Sequence, residues 1–141
     1  MRDVYSNVKA LSLALLDRDT EGSENISGTG VDVSAYNGYA QCVVTVTVDA
    51  SAAAADRVNL KLREASDNGT TNATDISSAA ITEIAGDDTG GTTTQQFKVN
   101  LDALDYTFIH AYTAITDGNS SGSYVVSATL LLSYANINPV N

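Results

Sequence analysis

Apolar residues recur at every second position along much of this chain. In AQCVVTVTV, residues 40–48, Val44, Val46 and Val48 fall on one side, with Thr45 and Thr47 on the other. VNLKLREA, 58–65, sets Val58, Leu60 and Leu62 against Asn59, Lys61 and Arg63. QQFKVNL, 95–101, sets Phe97, Val99 and Leu101 against Lys98 and Asn100. A period of two is that of a β-strand. Each run therefore predicts a strand with one face on a core and the other in water or at an interface.

Two later runs are apolar on both faces. YTFIHAYTAI, 106–115, carries Tyr106, Phe108 and Tyr112 on one side and Ile109, Ala111 and Ile115 on the other. SYVVSATLLLSY, 123–134, mixes Val125 and Leu131 with an opposite row of Val126, Leu130 and Leu132. Such strands lie centrally in a sheet, or have their outer face covered by another subunit. The run VKALSLALL, 8–16, alternates Val8, Ala10, Ser12 and Ala14 with Lys9, Leu11, Leu13 and Leu15, which favours a strand over a short helix.

Turn-rich stretches separate these runs. DNGTTNATD holds Asn68-Gly69, a strong tight-turn pair, and GDDTGGTTT and TDGNSSGS punctuate in the same way. DASAAAADR, 49–57, is the one stretch that suggests a helical turn, with Asp49 or Ser51 as its cap. The expected fold is all-β: a single antiparallel, jelly-roll-like β-sandwich of about seven or eight strands with extended terminal arms. Its 141 residues fit one domain, 1–141, with 1–16 as an N-terminal strand or arm and 136–141 as a C-terminal tail.

Charge narrows the partners. Seven basic residues against 17 acidic ones give a net charge of -10, and the lysines and arginines are scattered. Binding to phosphates needs them clustered, which argues against nucleic acid and against an anionic membrane surface. No run approaches the ~20 apolar residues of a membrane helix. The start, MRDVYSNVKALSLALL, does not read as a secretory signal. Cys42 is the only cysteine, which leaves no intrachain disulfide and suggests synthesis in a reducing compartment. Four Asn-x-Ser/Thr sequons occur, as expected in a chain rich in those residues.

DRDTEGSENISG, from Asp17, opens like a calcium loop: Asp17, Asp19 and Glu21 alternate, and Gly22 stands at the sharp turn. An EF-hand also needs a bidentate glutamate at position 12, but position 12 is Gly28, and the normally apolar position 8 is Glu24. The stretch reads instead as a solvated acidic connection, with a looser cation site at Asp17, Asp19 and Glu21 as an open alternative.

His110, the single histidine, shares a face with Phe108 and Tyr112 and reads as structural, since no nucleophile elbow accompanies it. One histidine and one cysteine exclude the usual zinc sites. Cys42 begins an apolar strand and reads as a small buried hydrophobe. Glu64 and Asp67 have spacing compatible with an acid–base pair, but turns after strands often carry such residues. GDDTGG puts Asp87 and Asp88 where a phosphate would sit. The seven tyrosines suit strands and interfaces alike. No catalytic, cofactor or metal residues are expected, and no enzymatic activity.

Three segments together resemble small virion proteins of tailed bacteriophages. They are TGVDVSAYNGYAQCVVTVTV, a Gly-Val-Asp turn leading through Tyr36 into a β-run; VNLKLREASDNGT, a strand ending in an acidic turn; and LDYTFIHAYTAI followed by SYVVSATLLLSY as the last two strands. Where such proteins often have a basic residue after the aromatic of the penultimate strand, this chain has Thr107 and His110. The resemblance implies a capsid decoration, or cement, protein. Its partners would be the major capsid protein and itself, as a homotrimer over capsid junctions. It would be made in the host cytoplasm and located on the capsid surface, with both terminal arms clasping a neighbour. A phage tail or neck protein, and a carbohydrate- or host-surface-binding sandwich module, are the alternatives.

Overall fold

Wherever the alternation is strong, the chain is extended. The computed structural model describes residues 8–19, 24–48, 56–86, 90–116 and 123–133. Ten strands run in chain order: β1 (Val8–Asp19), β2 (Glu24–Ser27), β3 (Val31–Asp32), β4 (Tyr39–Val48), β5 (Arg57–Ala65), β6 (Thr74–Ala80), β7 (Ile84–Ala85), β8 (Gly91–Asn100), β9 (Phe108–Thr116) and β10 (Ser123–Ser133). The one helical piece among the described residues is a 3-10 turn, Leu101–Ala103, between β8 and β9. No helix among the described residues is long and apolar enough to cross a membrane.

The strands form two antiparallel sheets. The first has the order β1-β10-β4-β8. The second has β2-β9-β5-β6, with β3 continuing along β9 beyond β2, and β7 pairing with β5 as β6 does. Counting each interrupted pair as one strand leaves eight, four to a sheet, and the first and last described strands pair with each other. That is the arrangement of a jelly roll. The expected all-β sandwich is the observed fold.

The core fills the space between the sheets with the residues that the period-two pattern turned inward. Val44, Val46 and Val48 of β4 and Val126, Ala128, Leu130 and Leu132 of β10 face Val58, Leu60 and Leu62 of β5 and Ile109, Ala111 and Ile115 of β9, all buried. Each fully buried Val, Leu or Ile contributes roughly 1.5–3 kcal/mol of transfer free energy. The two runs that are apolar on both faces, β9 and β10, are interior strands of their sheets, as their pattern predicted.

Polar ties fix one sheet on the other. The Gln95 amide of β8 pairs with the backbone of Thr82, between β6 and β7. Thr82 N–H donates to Gln95 Oε1 at 2.8 Å, and Gln95 Nε2 donates to the Thr82 carbonyl at 2.9 Å. Tyr124, at the start of β10, donates its hydroxyl to Asp56 Oδ2 at 2.6 Å, just before β5, with both residues buried.

Several expectations are corrected by the fold. Asp17 and Asp19 do not lie in a solvated connection. They belong to the end of β1, opposite Val125 and Ser123 of β10, and Glu24 already begins β2. Of the two readings of 1–16, strand or arm, the described residues from Val8 form the favoured strand, at the edge of the first sheet. Leu101 leaves the β8 alternation for the 3-10 turn, where Asn100 Oδ1 caps the Asp102 N–H at 3.2 Å. Residues 1–7 of the N-terminal segment, the C-terminal tail 136–141, residues 49–55 of the helical turn expected at 49–57 and the Gly-rich residues 87–89 lie outside the described residues; Arg57, at the end of that expected turn, begins β5 instead.

Candidate functional site

The chemically suggestive residues of the sequence have structural places. His110 is buried on β9, with Nδ1 3.0 Å from the Gly28 carbonyl and Nε2 3.1 Å from the Asp67 carbonyl. Both partners are acceptors. The ring packs between the segment after β2 and the turn after β5, its tautomer setting which carbonyl receives the N–H, and does not face a substrate cleft. Its packing dictates a glycine: a Cβ at Gly30 would lie 2.5 Å from the imidazole Cε1 and Nε2.

Glu64 and Asp67 serve separate backbones. Buried Glu64 accepts the Tyr106 N–H at 2.8 Å through Oε2, which anchors the approach to β9. Asp67 Oδ1 accepts the Gly69 N–H at 2.9 Å within its own turn. The Thr71 hydroxyl, chiefly, holds the Asp67 carboxyl below its usual range, helped by backbone N–H groups of Gly69 and Thr71. Cys42 is fully buried, and loss of hydration pushes its thiol up to about 12. Glu21, and the side chains of Asp17 and Asp19, lie outside the described residues, and so do Asp87 and Asp88.

Two surfaces remain, one on each sheet. Across the outer face of the first sheet the register lines up Gln41, Val43, Thr45 and Thr47 of β4 with Lys98, Gln96, Thr94 and Thr92 of β8. On the other side of β4 stand Leu131, Thr129, Ser127 and Val125 of β10. Thr45 and Thr94 share a hydroxyl hydrogen bond of 3.2 Å, Thr47 and Thr92 one of 2.9 Å, and Gln41 donates to Gln96. Tyr39, 64% exposed, stands at one corner beside Asn100. Among the described side chains of this face, Lys98 carries the one charge. Asp17 and Asp19 of β1 stand in register beside Val125 and Ser123 at the far edge of this sheet, so the stretch free of carboxylates is that of β4 and β8.

The outer face of the second sheet is different. Arg57, Asn59, Lys61 and Arg63 stand along β5, opposite Thr116, Ala114, Tyr112 and His110 of β9. Its cations are matched by carboxylates. Arg57 Nε lies 3.1 Å from Glu83 Oε1, and Lys61 Nζ lies 2.6 Å from Asp75 Oδ2. Arg63 Nε lies 3.1 Å from Asp75 Oδ1, an ion pair without hydrogen-bond alignment, while its Nη2 donates to the Ala73 carbonyl at 2.7 Å. The hydrogen bond from Lys61, above all, holds the Asp75 carboxyl below its usual range. Both cations also lie over the Tyr112 ring, at 5.2 Å for Lys61 and 5.3 Å for Arg63.

Beside Tyr112 an open groove of about 270 Å³ runs over Asn59, Lys61 and Ala114 to Ala80 and Ile81. Its far wall exists because β6 departs from regular pairing. Ala80 pairs with Lys61 and Asp75 with Arg63, so the residues between make an excursion from the sheet. Ser78 adopts a left-handed φ of 62° within it. Sequence reasoning turned Asn59, Lys61 and Arg63 outward but missed the groove, because the β5–β9 register that brings Tyr112 beside Lys61 is a long-range property.

No family model matches the sequence, and no curated protein matches it. Solved structures do match. The structure of infectious bursal disease virus, Gt strain, aligns with a TM-score of 0.57 at 9% identity, over 94% of this chain and 33% of that one. The Gx strain gives 0.54 at 13% identity, over 94% and 32%. The VP2 subviral particle of the same virus gives 0.52 at 11% identity, over 92% and 33%. The chain thus spans about a third of the length of the proteins it matches. These neighbours are viral capsid proteins, and at such identities what this chain shares with them is the β-sandwich fold.

Proposed function

We propose that this chain is a structural protein of a virus particle: a decoration or cement protein on the outside of a tailed-phage head. It binds the major capsid protein as a homotrimer after synthesis in the host cytoplasm. Its work is the burial of surface at subunit junctions, with no reaction.

The observation that carries this reading is the outer face of the first sheet. A jelly roll serves many functions, so the fold alone cannot choose among them. The face is more specific. Like-charge juxtaposition opposes association, and the β4–β8 half of this face, two strands away from Asp17 and Asp19 of β1, offers a neighbour threonines and glutamines with Lys98 as its one described charge. Four strands at the usual spacing and rise offer roughly 500 Å². A standard interface buries ~800 Å² per partner. Tyr39 and Val125, the two large apolar side chains most exposed among the described residues, both lie on it and supply anchors.

The test is sedimentation with capsids that lack the chain. The wild-type protein is expected to move with capsids at a copy number comparable with that of the capsid subunits. A Thr45→Glu, Thr94→Glu double variant should stay at the top of the gradient; its carboxylates stand directly opposite and lower the melting temperature, so a folded circular-dichroism spectrum at the assay temperature accompanies the measurement. A wild-type protein that never enters the capsid fraction contradicts the proposal.

A further inference from the structure

The groove beside Tyr112 lies on the opposite sheet from the face assigned to the capsid, and its chemistry is of another kind. Its one lining cation, Lys61, is already matched by Asp75, at 2.6 Å, and Arg57, further along β5, by Glu83, at 3.1 Å. A phosphate or another polyanion would have to displace these carboxylates, so the groove does not suit an anion. It is not apolar either, since Asn59 and Lys61 line it beside Ala80, Ile81 and Ala114. At about 270 Å³ it lies just under the ~300–1,000 Å³ of pockets that take drug-sized molecules.

What fits is a small, neutral, flat ligand with one apolar surface and hydroxyls around its edge. We propose that this groove binds one ring of a neutral saccharide, with Tyr112 as its platform and Asn59 and Lys61 as hydroxyl partners. The half-buried aromatic body of Tyr112 offers its area to the C–H surface of the sugar ring. Lys61 and Arg63 both lie over the ring, which sets its orientation before binding and leaves the sugar the part of the ring they do not cover. Asn59 Nδ2 donates to Glu83 Oε2 at 2.7 Å, which fixes the amide and leaves its carbonyl oxygen to accept a sugar hydroxyl. Lys61, held by Asp75, has further ammonium protons to donate. A ligand is thus offered an acceptor, a donor and a ring from two neighbouring strands that are already in place, and little ordering has to accompany binding.

The site needs no capsid, so this inference and the proposed virion role can fail separately. The experiment is a titration of the isotope-labelled full chain with a panel of neutral sugars, terminated in glucose, galactose, mannose and xylose, followed by NMR. At millimolar sugar, at least one member is expected to shift the amides of Asn59, Lys61, Ala80, Tyr112 and Ala114 and to leave those of β4 and β8 unmoved. Tyr112→Ala should weaken that sugar at least tenfold, and Asn59→Leu severalfold, while Thr45→Ala on the opposite sheet binds as the wild type does. The wild-type shift map locates the site even if a variant fails to fold. No shift with any sugar of the panel, shifts centred elsewhere, or a folded Tyr112→Ala protein that binds normally overturns the assignment.

Discussion

Tyr124 and Asp56 form a hydrogen bond between the two sheets inside the sandwich. The phenol donates to the carboxylate at 2.6 Å with both residues buried. The same Asp56 presents its carbonyl to the Gly86 N–H, at 3.0 Å, and to Arg57 Nη1, at 2.8 Å. The start of β10, the start of β5 and the end of β7 therefore meet at one buried acidic residue, which the sequence places near the end of the stretch expected to form a helical turn.

Removing the phenolic hydroxyl isolates this interaction. Tyr124→Phe keeps the ring and takes one donor from a buried carboxylate. Hydrogen bonds to charged groups are worth ~1.5–3 kcal/mol, and the loss should fall in that range. Urea unfolding measures it. A variant as stable as the wild type would mean that the contact contributes nothing net.

Gly30 and His110 make a second coupled pair. A methyl group at Gly30 would lie 2.5 Å from the ring and 3.1 Å from the Asn68 Cα. Gly30→Ala is expected to cost ~1–3 kcal/mol, the range for overpacking. The same substitution in a His110→Ala background should cost distinctly less, because the clashing ring is gone. A double-mutant cycle with no coupling energy would refute the packing account.

Cys42 should be inert in the folded protein. Burial raises its thiol from 9.0 to about 12. A thiol raised on folding contributes stability that is fully present below about 9 and is lost as the pH climbs toward the folded value. Native protein at pH 8 should label with a thiol reagent only as fast as it unfolds. Rapid labelling without unfolding would contradict the burial of this residue.

Acid should weaken the fold by the opposite route. Asp32, Asp67 and Asp75 are all held below their ordinary 3.8, chiefly by the Ser34 N–H, the Thr71 hydroxyl and the Lys61 ammonium respectively. A depressed carboxyl contributes stability above its unfolded value and loses it as the pH falls through the folded one. Urea midpoints should therefore drop below pH ~4. Asp75→Asn should flatten that drop slightly, by less than ~1 kcal/mol, since the pair is half exposed and screened by solvent. An unchanged pH profile in this variant would show that the ion pairs of Lys61 and Arg63 are energetically silent.

The strands that could be read in the sequence are those whose two faces meet different surroundings. Val44, Val46 and Val48 against Thr45 and Thr47 announce β4, and Val58, Leu60 and Leu62 announce β5, because one side of each is buried. The strands that could not be read are short and mostly exposed. ENIS of β2, VD of β3, TDISSAA of β6 and IA of β7 have too little apolar contrast to show a period. β2, β3, β6 and β7 are defined by their partners β9 and β5. Asp17 and Asp19 misled for a related reason. Their residue types read as loop, yet pairing with β10 carries β1 through them to the sheet edge. Both candidate surfaces depend on register in the same way. Thr45 beside Thr94, and Lys61 beside Tyr112, are neighbours only once distant segments pair.

The central claim is that the chain works by seating the outer face of its first sheet on a viral shell. Cryo-electron microscopy of particles assembled with and without the chain tests it most directly. The prediction is ordered extra density on the particle surface at a copy number comparable with that of the capsid subunits, with Tyr39, Thr45, Thr94 and Val125 against the shell and the Tyr112 groove open to solvent. Particles without such density, or density in which the first sheet faces solvent, would contradict it.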